Sequence, residues 1–257
     1  MKFFVIKINK ILWIICLSIF LLMIIIINIF YFPTLASLND LSNNNNFNYL
    51  FDNKEKVAYL TFDDGPSCKV TPKILDILKE KEIKASFFVI GKNVKTNPEI
   101  VERAYKEGHF IANHTYNHNN NIIYKSKETF LEEIKNTDKE IAAAIKVENY
   151  SSGLFRFPNG FMAPLYKNQK KIMADVLNEI DYSYVDWNCL NKDSEKKYSK
   201  GDLLNNLKIS SKNKGTLVIL MHDTGDVNNT FDVLEDSIEY LKSEGYTFKN
   251  FYDILNL

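Results

Sequence analysis

The amino-acid sequence predicts an α/β fold, a distorted (β/α) barrel that is preceded by a single N-terminal transmembrane helix. From Val57 to the C-terminus, strand-like apolar runs alternate with helix-like segments, as in a parallel sheet connected by helices. The predicted strands are apolar almost throughout, as expected for strands buried on both faces, and their number favours a barrel over an open sheet. Residues 11–32 form a separate apolar segment that is long enough to cross a bilayer.

The N-terminal segment predicts a membrane anchor. Residues 11–32 are apolar except for Ser18 and Asn28, and three lysines precede them within residues 1–10. Because no lysine or arginine follows closely, the positive-inside rule predicts a cytoplasmic N-terminus and an extracellular remainder. A cleaved signal peptide ending at Ala36, and hence secretion, is the alternative. The uncleaved anchor is favoured because the segment exceeds the roughly 7–15 apolar residues of a signal peptide.

The rest of the chain divides into residues 33–56, an asparagine-rich tether, and residues 57–257, one folded domain. Lysine plus arginine and aspartate plus glutamate both number 32, so no net field attracts nucleic acid. None of the three cysteines has a close cysteine neighbour, so the sequence indicates neither a cysteine metal cluster nor a disulfide framework, and free thiols are favoured over a Cys68–Cys189 bridge. Charge and cysteine content therefore argue against a nucleic-acid-binding protein and against a cysteine-based scaffold, and they favour an ordinary globular domain.

The elements of this domain follow from local signals. Thr71, as an N-cap, and Asn97 each precede a proline that fits the first turn of a helix, and Ser126 begins a long helix with one apolar face. The predicted strands are residues 57–62, 84–90, 109–114, 154–158, 182–187 and 216–222. The predicted helices are residues 71–81, 97–108, 166–179, 203–212 and 231–244, together with the helix that begins at 126.

Uncommon polar residues stand where these strands end. In β/α barrels the reactive groups lie at the carboxyl ends of the strands, so this placement predicts a site. The residues concerned are Asp63, Asp64, His114, Arg156, Asp186, Trp187 and His222.

Two histidines and a pair of acids indicate a metal site. His114 and His118, with either Asp63 or Asp64, form a two-histidine, one-carboxylate set suited to zinc or another divalent transition metal. The other acid is then free to act as general base. His222 is suited to protonating a leaving group, since its unperturbed pKa is about 6.5. The structural alternative is that the acids cap a turn and the histidines have no catalytic role.

Together these residues resemble the NodB-type polysaccharide deacetylases of carbohydrate esterase family 4, in particular the peptidoglycan N-acetylglucosamine deacetylases. The motifs TFDDG, HTYNH, RFPNG and ILMH follow the family's order along Val57 to Leu257. The resemblance implies that Asp63 is the catalytic base, that Asp64, His114 and His118 bind the metal, and that Arg156 holds Asp63.

The same resemblance implies a substrate-binding set. The turn of the RFPNG motif contributes Pro158 and Asn159, whose backbone N–H would point at the oxyanion. Trp187 would form a wall of the groove, and Ile219 would line an apolar pocket for the acetyl group.

The fourth motif of the family, an aspartate that orients the acid His222, has two candidates. Asp186 stands before Trp187 as the family's aspartate–tryptophan pair would, whereas alignment on WNCLNKDS selects Asp193. Asp193 is preferred, and Ser194 then replaces the usual aromatic residue.

The resemblance implies hydrolysis of N-acetyl groups from a cell-wall polysaccharide, with peptidoglycan N-acetylglucosamine as the expected substrate for an extracellular domain. One divalent metal ion is expected, zinc before cobalt, nickel or manganese. The expected partners are the polysaccharide and, through the anchor, the membrane, without nucleic acid or a protein partner. The alternatives are another polymer (poly-N-acetylglucosamine, chitin oligomers or acetylxylan), a catalytically silent wall-binding protein, or a hydrolase of another ester such as a phosphodiester.

Overall fold

A curved parallel sheet, with helices joining its strands, forms the described part of the chain. The structure is a computed structural model that describes residues 46–224 and 230–255. The chain divides into two units, Met1–Asn44 and Asn45–Leu257, and the described residues all belong to the second. The predicted anchor and the first part of the tether lie outside them. Within these two described ranges, no helix has the length and apolar character needed to span a bilayer.

The strands in chain order are β1 Val57–Asp63, β2 Ser86–Val89, β3 Phe110–Asn113, β4 Leu154–Phe155, β5 Ser183–Tyr184, β6 Cys189–Leu190, β7 Leu217–His222 and β8 Thr247–Lys249. The α-helices are α1 Thr71–Glu80, α2 Gly91–Thr96, α3 Pro98–Lys106, α4 Asn120–Ile123, α5 Lys127–Ile145, α6 Lys167–Glu179, α7 Lys200–Ser211, α8 Thr230–Ser243 and α9 Tyr252–Leu255, and a 3-10 helix spans Phe47–Asp52. All six predicted strands and six predicted helices are present, whereas β6, β8, α2, α4 and α9 were not predicted.

The sheet is a curled parallel half-barrel, so the predicted α/β fold is confirmed and the predicted distorted barrel is confirmed in part, since its end strands β5 and β6 are not paired. Its order is β5-β4-β3-β2-β1-β7-β6, with β8 paired to the first half of β1, and every pairing is parallel. β5 and β6 are the two ends, and residues 185–188 alone connect them. A connection between neighbouring parallel strands needs about a dozen residues or more. This four-residue segment is therefore too short to place β5 and β6 side by side.

The first turns of α5 and α1 begin in different ways. Ser126 is the N-cap of α5, as predicted, and forms a capping box with Thr129. Thr71 is instead the first residue of α1, after Val70. Its hydroxyl accepts a hydrogen bond from the Ser67 N–H and donates one to Asp223 Oδ2, so it ties the helix to a neighbouring loop rather than capping it.

Alternation along β1 and β7 separates the core from the site. On one face, Leu60, Phe62 and Ile219 pack in the core formed with the helices. On the other face, Tyr59 packs with Phe251 and further aromatic residues, while the last residue of β1 is an aspartate. Because side chains of a strand alternate between faces, the polar groups at the strand ends project from the inner face of the curve.

Candidate active site

The site lies where the central strands end. Asp63, the last residue of β1, is directly opposite His222, the last residue of β7. On the other side of β1, β2 and then β3 lead to His114, the residue that follows β3. The sheet thus brings together residues that are far apart in the sequence, as expected for the carboxyl edge of parallel strands.

Asp64, His114 and His118 form the candidate metal site. Asp64 Oδ1 lies 3.4 Å from His114 Nε2 and 3.3 Å from His118 Nε2, and one potential ligand atom from each residue falls within 4.8 Å of the others. The Arg156 carbonyl accepts a hydrogen bond from His114 Nδ1 at 2.7 Å. Because a carbonyl cannot donate, this bond places the proton on Nδ1 and leaves the Nε2 lone pair facing Asp64.

A cation fits this arrangement. Asp64 Oδ1 is buried but makes no hydrogen bond of good geometry, so it lacks the partner that a buried carboxylate oxygen requires. Burial opposes ionisation, but the neighbouring imidazoles of His114 and His118 hold the Asp64 pKa well below its usual range. Two imidazole nitrogens and one carboxylate are ligands typical of zinc and related metals.

The backbone around Asp64 turns its side chain away from that of Asp63. Asp64 has a φ of 76°, in the left-handed region that a residue other than glycine enters at a cost. Its N–H donates to the Phe88 carbonyl at 3.2 Å, and its own carbonyl accepts from Asn93 Nδ2 at 2.7 Å. These bonds hold a conformation that lets two adjacent acids have different neighbours.

Asp63 is held by a buried arginine. Arg156 Nη1 donates to Asp63 Oδ1 at 2.8 Å and to the Thr61 hydroxyl at 2.7 Å. The guanidinium is fully buried and stacks 3.9 Å from the Phe88 ring centroid. Asp63 Oδ2 lies 3.9 Å from His114 Nε2, so it faces the candidate metal site while Oδ1 is engaged by arginine.

His222 pairs with Asp193. Asp193 Oδ1 lies 2.7 Å from His222 Nδ1, and its Oδ2 accepts from the His222 backbone N–H at 2.8 Å and from the Thr230 hydroxyl at 2.7 Å. Burial lowers the pKa of His222, but the hydrogen bond and charge of Asp193 outweigh it, together with the charges of the two acids on β1, and raise that pKa to about 9. The imidazole is therefore protonated at neutral pH.

Asp186, the other candidate for this role, lies elsewhere. Its Oδ1 accepts from the Phe161 N–H at 2.7 Å and its Oδ2 from the Met162 N–H at 2.9 Å. Both oxygens are thus engaged by the loop after β4. The alignment that selected Asp193 agrees with the contact to His222.

The predicted substrate-binding residues separate into two groups. A cavity of about 420 Å³ contains Asn159 and Trp187 in its lining, whereas Pro158 is buried beside it and does not line it. The full lining consists of Asp63, Asp64, His114, His118, Asn159, Trp187, Leu190, Lys192, Asp193, Ser194, Glu195, Leu220 and His222.

The prediction for Ile219 is wrong. Ile219 is fully buried in the core on the helix side of the sheet, and Leu220 lines the cavity instead. The reason is the two-residue period of a strand, which puts Leu220 on the same face as His222. That period is a sequence signal that could have selected Leu220. Sequence reasoning also missed Leu190, Lys192 and Glu195, which line the cavity from β6 and the loop after it, because the sequence of this segment does not predict a strand.

Comparison with known proteins defines the class. The family model described as polysaccharide deacetylase matches residues 52–185. The chain belongs to this family, the NodB-type deacetylases of carbohydrate esterase family 4, and is a hydrolase with an Asp–His–His metal-binding set. The matched segment includes the metal-site residues and Arg156, while Asp193 and His222 lie beyond it.

Particular relatives include two curated enzymes. The chain is 31% identical over 208 residues to the peptidoglycan-N-acetylmuramic acid deacetylase PdaA of Bacillus subtilis, covering 80% of this chain and 74% of the relative. It is 35% identical over 198 residues to a peptidoglycan-N-acetylglucosamine deacetylase of Bacillus cereus, covering 76% and 66%. Among solved structures, a Streptococcus mutans CE4 esterase superposes with a TM-score of 0.71 at 27% identity, covering 79% of this chain and 88% of that one.

Proposed function

We propose that this protein removes N-acetyl groups from N-acetylglucosamine residues of peptidoglycan and releases acetate. The observation that carries the proposal is one cavity that contains a metal-ligand set, an arginine-held carboxylate and a histidine paired with an aspartate. The names of the relatives from Bacillus support peptidoglycan as the polymer, and one of them specifies N-acetylmuramic acid instead.

Asp64, His114 and His118 would hold one divalent cation, zinc before cobalt, nickel or manganese. When bound, such a cation supplies Lewis acidity that makes water a nucleophile near neutral pH. Asp63 Oδ2 faces that position and accepts the proton of the attacking water. Arg156 orients Asp63 because its Nη1 donates a hydrogen bond to Oδ1, which leaves Oδ2 for the water.

The opposite wall of the cavity serves the leaving group. His222 is protonated and its Nδ1 is engaged by Asp193, so Nε2 carries the proton that it delivers to the departing amine. The N–H of Asn159, at the rim, donates to the oxyanion that forms on the acetyl carbonyl. Acetate and a free amine on the sugar are the products.

A test of this function uses the full-length protein loaded with zinc and purified peptidoglycan. Mass spectrometry of the muropeptides is expected to show loss of acetyl groups from glucosamine, with an equal amount of free acetate. Loss from muramic acid would show the specificity named for the Bacillus subtilis relative. Acetate release from chitin oligomers, poly-N-acetylglucosamine or acetylxylan, without release from peptidoglycan, would contradict the proposed substrate. Release from none of them would favour a wall-binding protein.

Location is part of the proposal. The apolar segment 11–32 would anchor the enzyme with its catalytic domain outside the cell, where peptidoglycan is accessible. Cell fractionation is expected to recover an intact chain of 29.9 kDa in the membrane fraction. A soluble chain whose first residue follows Ala36 would support secretion instead.

A further inference from the structure

The turn after β4 carries Asn159 to the rim of the cavity. The Gly160 N–H donates to the Phe157 carbonyl at 2.8 Å, which closes a β-turn with Asn159 at its third position. Asn159 has a φ of 62° and is exposed to the cavity. Asparagine tolerates this left-handed conformation better than most residues. At Gly160, a β-carbon would come within 2.8 Å of Trp187 Cη2, so the turn packs directly against the aromatic wall.

A buried carboxylate holds the residues that follow this turn. Asp186 is 5% exposed, and each of its oxygens accepts one of two consecutive backbone N–H groups, those of Phe161 and Met162. Such charge-assisted bonds are stronger than neutral ones. The carboxylate thereby fixes the direction in which the chain leaves Gly160.

A buried lysine holds the same segment through its carbonyls. Lys170, on α6, is 1% exposed, and its Nζ donates to the Gly160 carbonyl and, at 3.5 Å, to that of Ala163. Burial lowers the pKa of Lys170, while the nearby charge of Asp186 raises it. The loop of residues 160–163 is thus held by two buried side chains: Asp186 binds its N–H groups and Lys170 binds its carbonyls.

Arg156 connects this loop to the catalytic acid. Its Nη2 donates to the Asp186 carbonyl at 3.1 Å and its Nε to the Val185 carbonyl at 3.1 Å, while Nη1 binds Asp63. One planar guanidinium therefore sets the distance between Asp63 and the residue that clamps the loop. Three buried charged groups, Arg156, Asp186 and Lys170, therefore fix the position of the Asn159 turn relative to Asp63.

We infer that Asp186 and Lys170 are positioning residues of the reaction, which hold the Asn159 turn so that its backbone N–H meets the oxyanion. This inference rests on the proposed function. An oxyanion donor contributes only when it is held in place before the reaction, and removal of one such donor costs about 10²–10³-fold in kcat. Loosening the turn is expected to cost part of that factor.

Asp186→Asn tests the inference with little change of shape. The new amide can accept one N–H with its oxygen, but its NH₂ group faces the other N–H. We expect kcat to fall by about 10–10²-fold on N-acetylated sugar and on an activated aryl acetate alike, because both reactions form an oxyanion. KM and the zinc content of the protein are expected to stay unchanged. Asp193→Asn, in contrast, is expected to affect the amide substrate far more than the aryl ester.

Hydrogen exchange of the metal-free protein gives a second readout. Peptides that cover residues 157–166 are expected to exchange faster in Asp186→Asn and in Lys170→Met than in the wild type, since each variant removes bonds of the turn. Asn250→Ala is the matched control. It removes a buried bond from Nδ2 to the Gly108 carbonyl, before β3 and at the other end of the strands, and should lower stability without changing kcat.

The outcomes separate the inference from the proposed function. A wild-type enzyme that releases no acetate from any polymer would overturn both. An active wild type would overturn the inference alone if Asp186→Asn retained its kcat, lost activity on amides only, or left exchange in residues 157–166 unchanged. If Asp186→Asn does not fold, Lys170→Met decides by the same measurements.

Discussion

Asp63 and Asp64 are adjacent in the chain but have different neighbours in the fold. Asp63 ends a strand and is paired with a buried arginine, whereas Asp64 has a left-handed backbone that directs its carboxylate to two histidines. Removing one partner of a buried ion pair typically costs about 3–5 kcal/mol, because the other charge stays buried and unpaired. The two acids therefore have different roles: Asp63 pairs with Arg156, and Asp64 belongs to the metal site.

This division predicts opposite effects of two substitutions. Asp63→Asn should lower kcat by about 10²–10⁴-fold, as for loss of a general base, and leave zinc bound. His118→Ala should lose zinc, because it removes one of the three ligands. Zinc content after gel filtration, measured by mass spectrometry, and acetate release check both. Loss of zinc from Asp63→Asn with retention in His118→Ala would reverse the assignments.

The raised pKa of His222 predicts the alkaline limit of activity. His222 acts in its protonated form, so activity should persist up to a pH near its pKa of about 9 and fall above it. Asp193→Asn removes the carboxylate that raises this pKa, so the alkaline limb should move to lower pH. His222→Ala should reduce turnover of amides much more than that of aryl esters, whose leaving groups need no proton. An unmoved alkaline limb in Asp193→Asn would contradict the role of this pair.

At the scale of elements, the sequence predicted the strands and helices that have a periodic apolar pattern or a recognisable residue at their ends. Long strands and helices, the Ser126 cap and the strand-end polar residues all have such signals. The two-residue strand β6, unlike β4 and β5, does not lie in an apolar run, so the path from Trp187 to Asp193 could not be predicted. The contacts of Asp186 and Lys170 could not be predicted either, because they join residues that only the fold brings together.

The junction of α3 with β3 predicts a pH-dependent stability. His109, which precedes β3, is fully buried and its Nδ1 accepts from the Ala85 N–H before β2 at 3.0 Å. Burial, and then the charge of Lys84, lower its pKa to about 4. Between pH 4 and 6.5 the unfolded chain then binds a proton that the native protein does not, so this group makes stability fall as pH falls through that window.

His109→Gln removes this titration and keeps an acceptor for the Ala85 N–H. The contribution of His109 to the wild-type loss between these pH values is of the order of 3 kcal/mol, from a pKa change of about 2.5. Urea unfolding at several pH values should show a shallower decline for the variant than for the wild type. Parallel declines would indicate that His109 is protonated as readily in the native protein as in the unfolded chain.

At the scale of the whole molecule, the open sheet explains where the cavity lies. The two end strands are β5 and β6, and Trp187 between them, with Lys192 and Asp193 after β6, lines the cavity. The central strands contribute the base and the metal ligands, while the open side contributes the groove wall and the partner of His222. The catalytic base and the metal ligands thus follow the central strands, whereas the groove wall comes from the loops at the two ends of the sheet, as in α/β folds generally.

Metal binding should therefore stabilise the whole domain, since its ligands follow two different strands, β1 and β3. A ligand that binds only the native state adds about 2.7 kcal/mol of stability at a free concentration one hundred times its Kd. For a domain of this size that corresponds to a rise in Tm of roughly 5–10 °C. Differential scanning calorimetry of the chelator-treated protein, with and without added zinc, should show this rise in the wild type and its loss in His118→Ala. The same rise in both proteins would mean that zinc binds elsewhere, because His118→Ala lacks one of the three ligands that join the two strand ends.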